Sequence, residues 1–101
     1  MLHIYIYSFL AGMFGTNGVP HFIKGVLGKK HQTPFGKESS PMVNVIWGWV
    51  NFVVAGLILF YANIHPHLLR AFGFLALGSL VMALILSYTW SINNNTSKNK
   101  K

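Results

Sequence analysis

Histidines are the residues of this chain that are best suited to acid–base or metal chemistry. The chain has five of them, one acidic residue, Glu38, and no cysteine. Catalysis by a pair of carboxylates and metal binding by cysteine thiolates are therefore excluded. His65 and His67 flank Pro66, and this pattern is typical of a polar turn. It does not indicate a metal site, because a metal ion needs more ligands at a defined geometry. We expect no enzyme activity, no metal and no cofactor.

Asparagines and small residues inside uncharged stretches form the second set of candidates. The spacing of Asn44, Gly48 and Asn51 puts all three on one face of a helix. Amides in hydrocarbon are costly without partners, and small residues let helix backbones approach, so the pattern favours a helix–helix seam over a polar pathway. Similar faces occur in the other two stretches. The predicted packing or pore-lining residues are Gly12, Gly15, Asn44, Gly48, Asn51, Gly73, Ala76 and Ala83.

The charges of the chain are confined to short segments. Eight lysines and arginines against one acid give a net charge of +7, and charged residues make up only 9% of the chain. A soluble domain has about 25%. No charged residue occurs in the stretches 1–23, 39–69 and 71–97, and each is long enough to cross a membrane as a helix of about 20 residues. The sequence predicts an all-α integral membrane protein with three transmembrane helices.

The distribution of basic residues predicts the orientation of these helices. The first loop and the C-terminal tail hold seven lysines, whereas the opposite side holds only Arg70. The positive-inside rule therefore places the loop and the C-terminus in the cytoplasm and the N-terminus outside. We expect a multi-pass protein of the bacterial inner-membrane type. The lysines suited to contact anionic lipid headgroups are Lys24, Lys29, Lys30 and Lys37.

Local signals predict where the elements begin and end. Ser40 as a cap and Pro41 at the first helical position predict a helix over about 41–62, and a further helix follows over about 66–91. One membrane domain covers 1–92, and the rest is a basic tail that we expect to be disordered. The cytoplasmic loop covers 28–40, and Phe35 between a proline and a glycine indicates a defined turn there.

The first stretch has two interpretations. Breaker residues in the segment 15–20 favour a first helix over about 2–18, followed by a short amphipathic helix over 19–27 that lies in the membrane interface. Apolar residues in 19–27 recur with helical spacing on one face, and Gly28 is placed to end the helix. The alternative is a single helix that continues to Ile23. The capping signals do not separate the two.

In layout, the chain resembles class I holins, which have three spans, an N-terminus outside, a C-terminus inside and a short basic tail. The resemblance covers the whole chain and implies pore formation; it rests on architecture, since no motif is shared. Small multidrug-resistance transporters are similar in length, but they use four spans and an intramembrane glutamate. The three predicted spans of this chain hold no acidic residue.

These features lead to one main hypothesis and two alternatives. The main hypothesis is a small polytopic inner-membrane protein that acts by helix–helix association, as a homo-oligomer or as an accessory subunit of a membrane complex. The first alternative is an oligomeric channel, small-solute transporter or holin-like pore lined by Asn44, Asn51 and Ser87. The second is a redox subunit that binds haem through histidines. Nucleic-acid binding is not expected, because the charges are few and stacking aromatics are lacking beyond Phe35.

Overall fold

Three helices and a small β-hairpin make up the structure, a computed structural model that describes the backbone of residues 2–99 and the side chains of residues 2–92. The elements, in chain order, are α1 (Leu2–Val26), β1 (His31–Thr33), β2 (Gly36–Ser39), α2 (Pro41–Ala62), a short 3-10 helix (His65–His67) and α3 (Leu68–Asn99). The prediction of three helices is confirmed. The predicted all-α class omits the two-stranded sheet. α3 continues as a helix to Asn99, so the helix end predicted near 91 and the disordered tail predicted from 93 are wrong over 93–99, and residues 100–101 lie outside the described residues.

α1 is one continuous helix, so the separate interfacial helix over 19–27 does not form. The chain adopts the single-helix alternative. Pro20 inside the helix removes a backbone hydrogen bond, and each glycine lowers the helix propensity by about 1 kcal/mol relative to alanine. Packing offsets these local costs, because Gly18 in the same segment lies against the backbone of α2. Tertiary contact therefore overrides the breaker signal.

The predicted helix ends at Gly28 and Ser40 are confirmed. Gly28 follows α1 with a left-handed φ of +76°, a conformation that favours glycine, and its N–H donates to the carbonyl oxygen of Gly25 at 3.0 Å. At the start of α2, the Ser40 hydroxyl accepts a hydrogen bond from the Val43 N–H at 3.2 Å, and Pro41 occupies the first helical position. The connection between α1 and α2 is thus fixed at both ends.

The predicted cytoplasmic loop contains an antiparallel hairpin of β1 and β2. His31 pairs with Ser39 and Thr33 pairs with Gly36, with an irregular register between them. A chain of side-chain hydrogen bonds closes the turn: the Phe35 N–H donates to the Thr33 hydroxyl at 3.1 Å, the Thr33 and Ser39 hydroxyls are 2.6 Å apart, and the Ser39 hydroxyl donates to the Gly36 carbonyl oxygen at 3.0 Å. The turn that Phe35 indicated is therefore the tip of a hairpin.

α1 lies between the other two helices and packs against both. Within the described part of the chain, α2 and α3 share no interface of comparable size. Two of the described segments are long and apolar enough to cross a membrane, namely α2 and His65–Ile92. α1 does not meet the same test. Their large apolar side chains point outward, as at Phe60 and Leu69, which are 79% and 86% exposed. The two segments able to cross a membrane therefore flank α1, which occupies the centre.

Candidate functional site

Buried polar side chains between α1, α2 and the hairpin form the candidate site, and Asn44 is its centre. The Asn44 Nδ2 lies 3.0 Å from the carbonyl oxygen of His31 and 3.1 Å from those of Ser39 and Ser40. An amide nitrogen has two hydrogens, so it donates to two of these oxygens at a time. Asn44 thereby holds the hairpin against α2. We call the group the polar seam, and its members are Asn17, His21, His31, Asn44 and Asn51.

His21 joins α1 to Asn44. Its Nδ1 lies 3.1 Å from the Asn44 Oδ1, and its side chain is buried. Because the Asn44 Nδ2 faces carbonyl oxygens, the Oδ1 is the atom turned toward His21, and an amide oxygen only accepts. The amide orientation therefore assigns a proton to Nδ1 of His21. When the ring is neutral, Nε2 is its basic nitrogen.

A row of three rings continues from His21 across the hairpin to α3. The His21 and His31 ring centroids are 5.2 Å apart, and those of His31 and Trp90 are 4.4 Å apart. The His31 Nε2 and the Trp90 Nε1 are buried, and no described residue offers either one a hydrogen bond. Burial lowers the pKa of His31 below its ordinary value, and the positive charges of His21 and Lys24 lower it further. The neutral ring is thus the form that fits this position.

Asn51 forms a second polar link between α1 and α2. Its Oδ1 accepts a hydrogen bond from the Asn17 Nδ2 at 3.2 Å, and its Nδ2 donates to the carbonyl oxygen of Trp47 at 2.9 Å. Asn51 is buried and Asn17 is half-buried. Both amides that were predicted as seam or pore-lining residues, Asn44 and Asn51, therefore bind partners within the chain.

Glycines bring the backbones of α1 and α2 into contact. A Cβ atom on Gly18 would lie 2.7 Å from the Gly48 carbonyl oxygen, and one on Gly48 would lie 2.7 Å from the Gly18 carbonyl oxygen. Closer to the hairpin, a Cβ on Gly25 would lie 2.6 Å from the carbonyl oxygen of Pro41. Real Cβ contacts are not this short, so any larger residue would push the two helices apart. This contact holds the polar side chains in register across the interface.

Glycines also mediate the contact between α1 and α3. A Cβ on Gly12 would collide with the Leu75 carbonyl oxygen, and one on Gly78 would collide with the Phe9 carbonyl oxygen. Beside them, the Ser79 hydroxyl donates to the Gly12 carbonyl oxygen at 3.3 Å. The structure thus places the predicted Gly12, like Gly48, in a close helix–helix contact.

Three contact glycines were missed from the sequence, namely Gly18, Gly25 and Gly78. Gly18 and Gly25 are seven residues apart, a spacing that returns to the same helix face and could have identified them. Asn17 and His21, four residues apart on α1, carried a similar signal for the polar seam. The partnership of His21 with His31 had no signal in the sequence, because it depends on how the hairpin folds back.

The remaining predicted packing residues lie outside these contacts. Gly15 is half-buried, and a Cβ there would make an ordinary contact of 3.9 Å with the Ala55 side chain. On α3, Gly73, Ala76 and Ala83 are exposed, and a Cβ on Gly73 would meet no atom within 4 Å. The chain itself therefore leaves this face of α3 uncovered.

Charged residues gather at the two ends of the bundle. At the far end from the hairpin, the Arg70 guanidinium donates to the Tyr5 hydroxyl at 3.2 Å. His65 and His67 lie at the same end, in the short 3-10 helix between α2 and α3. Within residues 2–92, no three histidine or acidic side chains are placed to share a metal ion. The hairpin end carries the four predicted lipid-contacting lysines, all exposed: Lys24, Lys29, Lys30 and Lys37.

Comparison of the chain with protein-family models, curated proteins and solved structures finds no match. The site is therefore the basis for any statement about function. Its amides and carbonyl groups bind one another, and the titratable members of the polar seam are His21 and His31. The chemistry that this arrangement offers is hydrogen bonding between elements and the binding of protons.

Proposed function

We propose that the protein is a small polytopic membrane protein that acts through helix–helix association, with the outward face of α3 as its contact surface. The partner is a second copy of the chain or another subunit of a membrane complex. The observation that carries the proposal is a stripe of small, exposed residues along α3: Gly73, Ala76, Ala83 and Ser87. Small residues on one helix face let a second membrane helix approach closely.

The positions of the other predicted seam residues support this choice of surface. Gly12 and Gly48 lie in close contacts within the chain, and Asn44 and Asn51 bind partners there. Substitutions at these four positions therefore perturb the fold of the single chain. Substitutions on the α3 stripe leave that fold intact and report on assembly.

The proposal includes a location in a cell membrane of the bacterial inner-membrane type, with α1 as the third span. α1 has 25 residues, which correspond to about 38 Å of helix at 1.5 Å per residue. Two apolar helices flank α1 and shield its polar residues from lipid. The lysines at the hairpin end favour a cytoplasmic hairpin, an N-terminus outside and contact with anionic headgroups.

Native mass spectrometry of the protein, gently extracted from its membrane, tests the proposal. We expect one homo-oligomeric mass or one mixed complex, and we expect Ala76→Phe and Ala83→Phe to shift the protein to the mass of the single chain. Gly56→Leu on α2 is the matched control, because Gly56 is exposed and a Cβ there meets no atom within 4 Å. A single-chain mass for the wild type, or assembly that both α3 variants retain, would count against the proposal.

An oligomeric channel, small-solute transporter or holin-like pore is the alternative. A passage lined by Asn44 and Asn51 would require side chains that face away from their own chain, whereas both are buried against α1. Flux of ions or dye into liposomes that contain the purified protein separates the two functions. Flux that Asn51→Ala abolishes while the assembly persists would favour the pore.

A further inference from the structure

The row of rings at the hairpin end connects α1 and α3 through the side chain of His31, and the His31 backbone binds α2. His31 lies on β1, with the His21 ring of α1 on one side at 5.2 Å and the Trp90 ring of α3 on the other at 4.4 Å. The Asn44 side chain of α2 hydrogen-bonds to the His21 ring and donates to the backbone carbonyl oxygen of His31. His31 therefore joins the Trp90 turn of α3 to the hairpin, beside the interface that α3 forms with α1.

Protonation of His31 is disfavoured in this arrangement. The protonated ring carries a positive charge and a hydrogen on both nitrogens, and the Nε2 atom is buried without a partner among the described residues. An unpaired buried donor and an uncompensated charge are both costly. The Trp90 Nε1–H is a donor only, so it cannot accept the new hydrogen.

The groups around His31 oppose its charge. From α1, His21 and Lys24 both repel a proton there. From α2, the neutral amide of Asn44 binds the backbone carbonyl oxygen of His31. From α3, the packed side chain is Trp90, which does not titrate. The one acidic residue of the chain, Glu38, is exposed on β2.

We propose that His21, His31 and Trp90 form a proton-operated latch: the neutral His31 ring docks the C-terminal end of α3 on the hairpin, and protonation of His31 releases it. The lowered pKa of His31 agrees with this direction. Release begins as the pH falls below about 6.5, the ordinary histidine value. Each unit by which docking lowers the pKa of His31 raises the equilibrium constant for release about tenfold at low pH.

Spin-label distances across the latch test the proposal. The chain has no cysteine, so labels at Gln32→Cys and Ser91→Cys, both exposed positions, attach only there. We expect one short, narrow distance at pH 8 and a longer, broader distribution at pH 5, with a midpoint below about 6.5. Unchanged distances across this range would overturn the latch.

Three variants assign the transition to its residues. In His31→Phe the ring remains but cannot titrate, so the short distance should persist at pH 5, provided that circular dichroism shows native helicity. In Trp90→Ala the long distance should appear at both pH values, and a short distance at pH 8 would contradict the proposal. His65→Phe, at the opposite end of the bundle, should leave the transition unchanged. A transition that survives in His31→Phe would assign it to another group and overturn the latch.

Discussion

Substitution of Asn44 by leucine should destabilise the protein by about 3 kcal/mol. The change leaves three polar groups without their partner: the carbonyl oxygens of His31 and Ser39, and the Nδ1 of His21. A buried polar group that loses its hydrogen bond costs about 1–3 kcal/mol. The lower value applies to each, because the hairpin is near the surface and water can reach part of it. Leucine has the same number of side-chain heavy atoms as asparagine and a larger volume, so no cavity adds to this cost.

Asn51→Leu is the matched control for this prediction. The two asparagines are equally inaccessible, at 0% and 2% exposure, and they lie on the same helix. Asn51 makes one hydrogen bond to another helix, at 3.2 Å to the half-buried Asn17, so its loss should cost about 1 kcal/mol. Unfolding of the detergent-solubilised protein by increasing dodecyl sulfate, followed by circular dichroism, measures both values. Equal stability of Asn44→Leu and wild type, or a larger loss for Asn51→Leu, would refute the reasoning.

Four further substitutions and a change of pH give expected results in the same unfolding assay. Gly18→Ala should lower the free energy of unfolding by about 1–3 kcal/mol, because the new Cβ has no room against α2. Gly56→Ala, on an open helix surface, should raise it by up to about 1 kcal/mol. Equal effects of the two substitutions would contradict the close contact at Gly18. Ser40→Ala removes the cap of α2 and should cost about 1 kcal/mol, and an unchanged midpoint would show that the cap is dispensable. Stability should fall as the pH drops below about 6.5, because the lowered pKa of His31 means that the unfolded chain binds the proton first. His31→Phe should flatten this dependence, and an unchanged slope in that variant would assign it to other groups.

Local signals were sufficient to predict the end of α1 and the start of α2. Ser40 and Pro41 start α2 at the predicted residue, and Gly28 ends α1. These signals work because each depends on one backbone conformation or one nearby hydrogen bond. The segment around Pro20 could not be predicted in this way, because its helical state depends on contact between Gly18 and α2. A contact between residues 30 positions apart is not encoded in any local window.

The candidate site was predicted in part for the same reason. The spacing of Asn44, Gly48 and Asn51 predicted a shared face, and the structure turns that face toward α1. The sequence did not show which helix would receive it. His31 could not be assigned to the site, because its position depends on the irregular hairpin that returns the chain to α2.

The central position of α1 follows from its composition. α1 carries Asn17 and His21, whose polar groups would be costly against lipid. α2 supplies the polar partners that these groups require, Asn51 and Asn44. In a membrane, the central position of α1 would keep these groups away from lipid. The same placement brings His21 and His31 together at the hairpin end, where His31 meets Trp90 of α3, and it leaves the stripe of Gly73, Ala76 and Ala83 on α3 exposed.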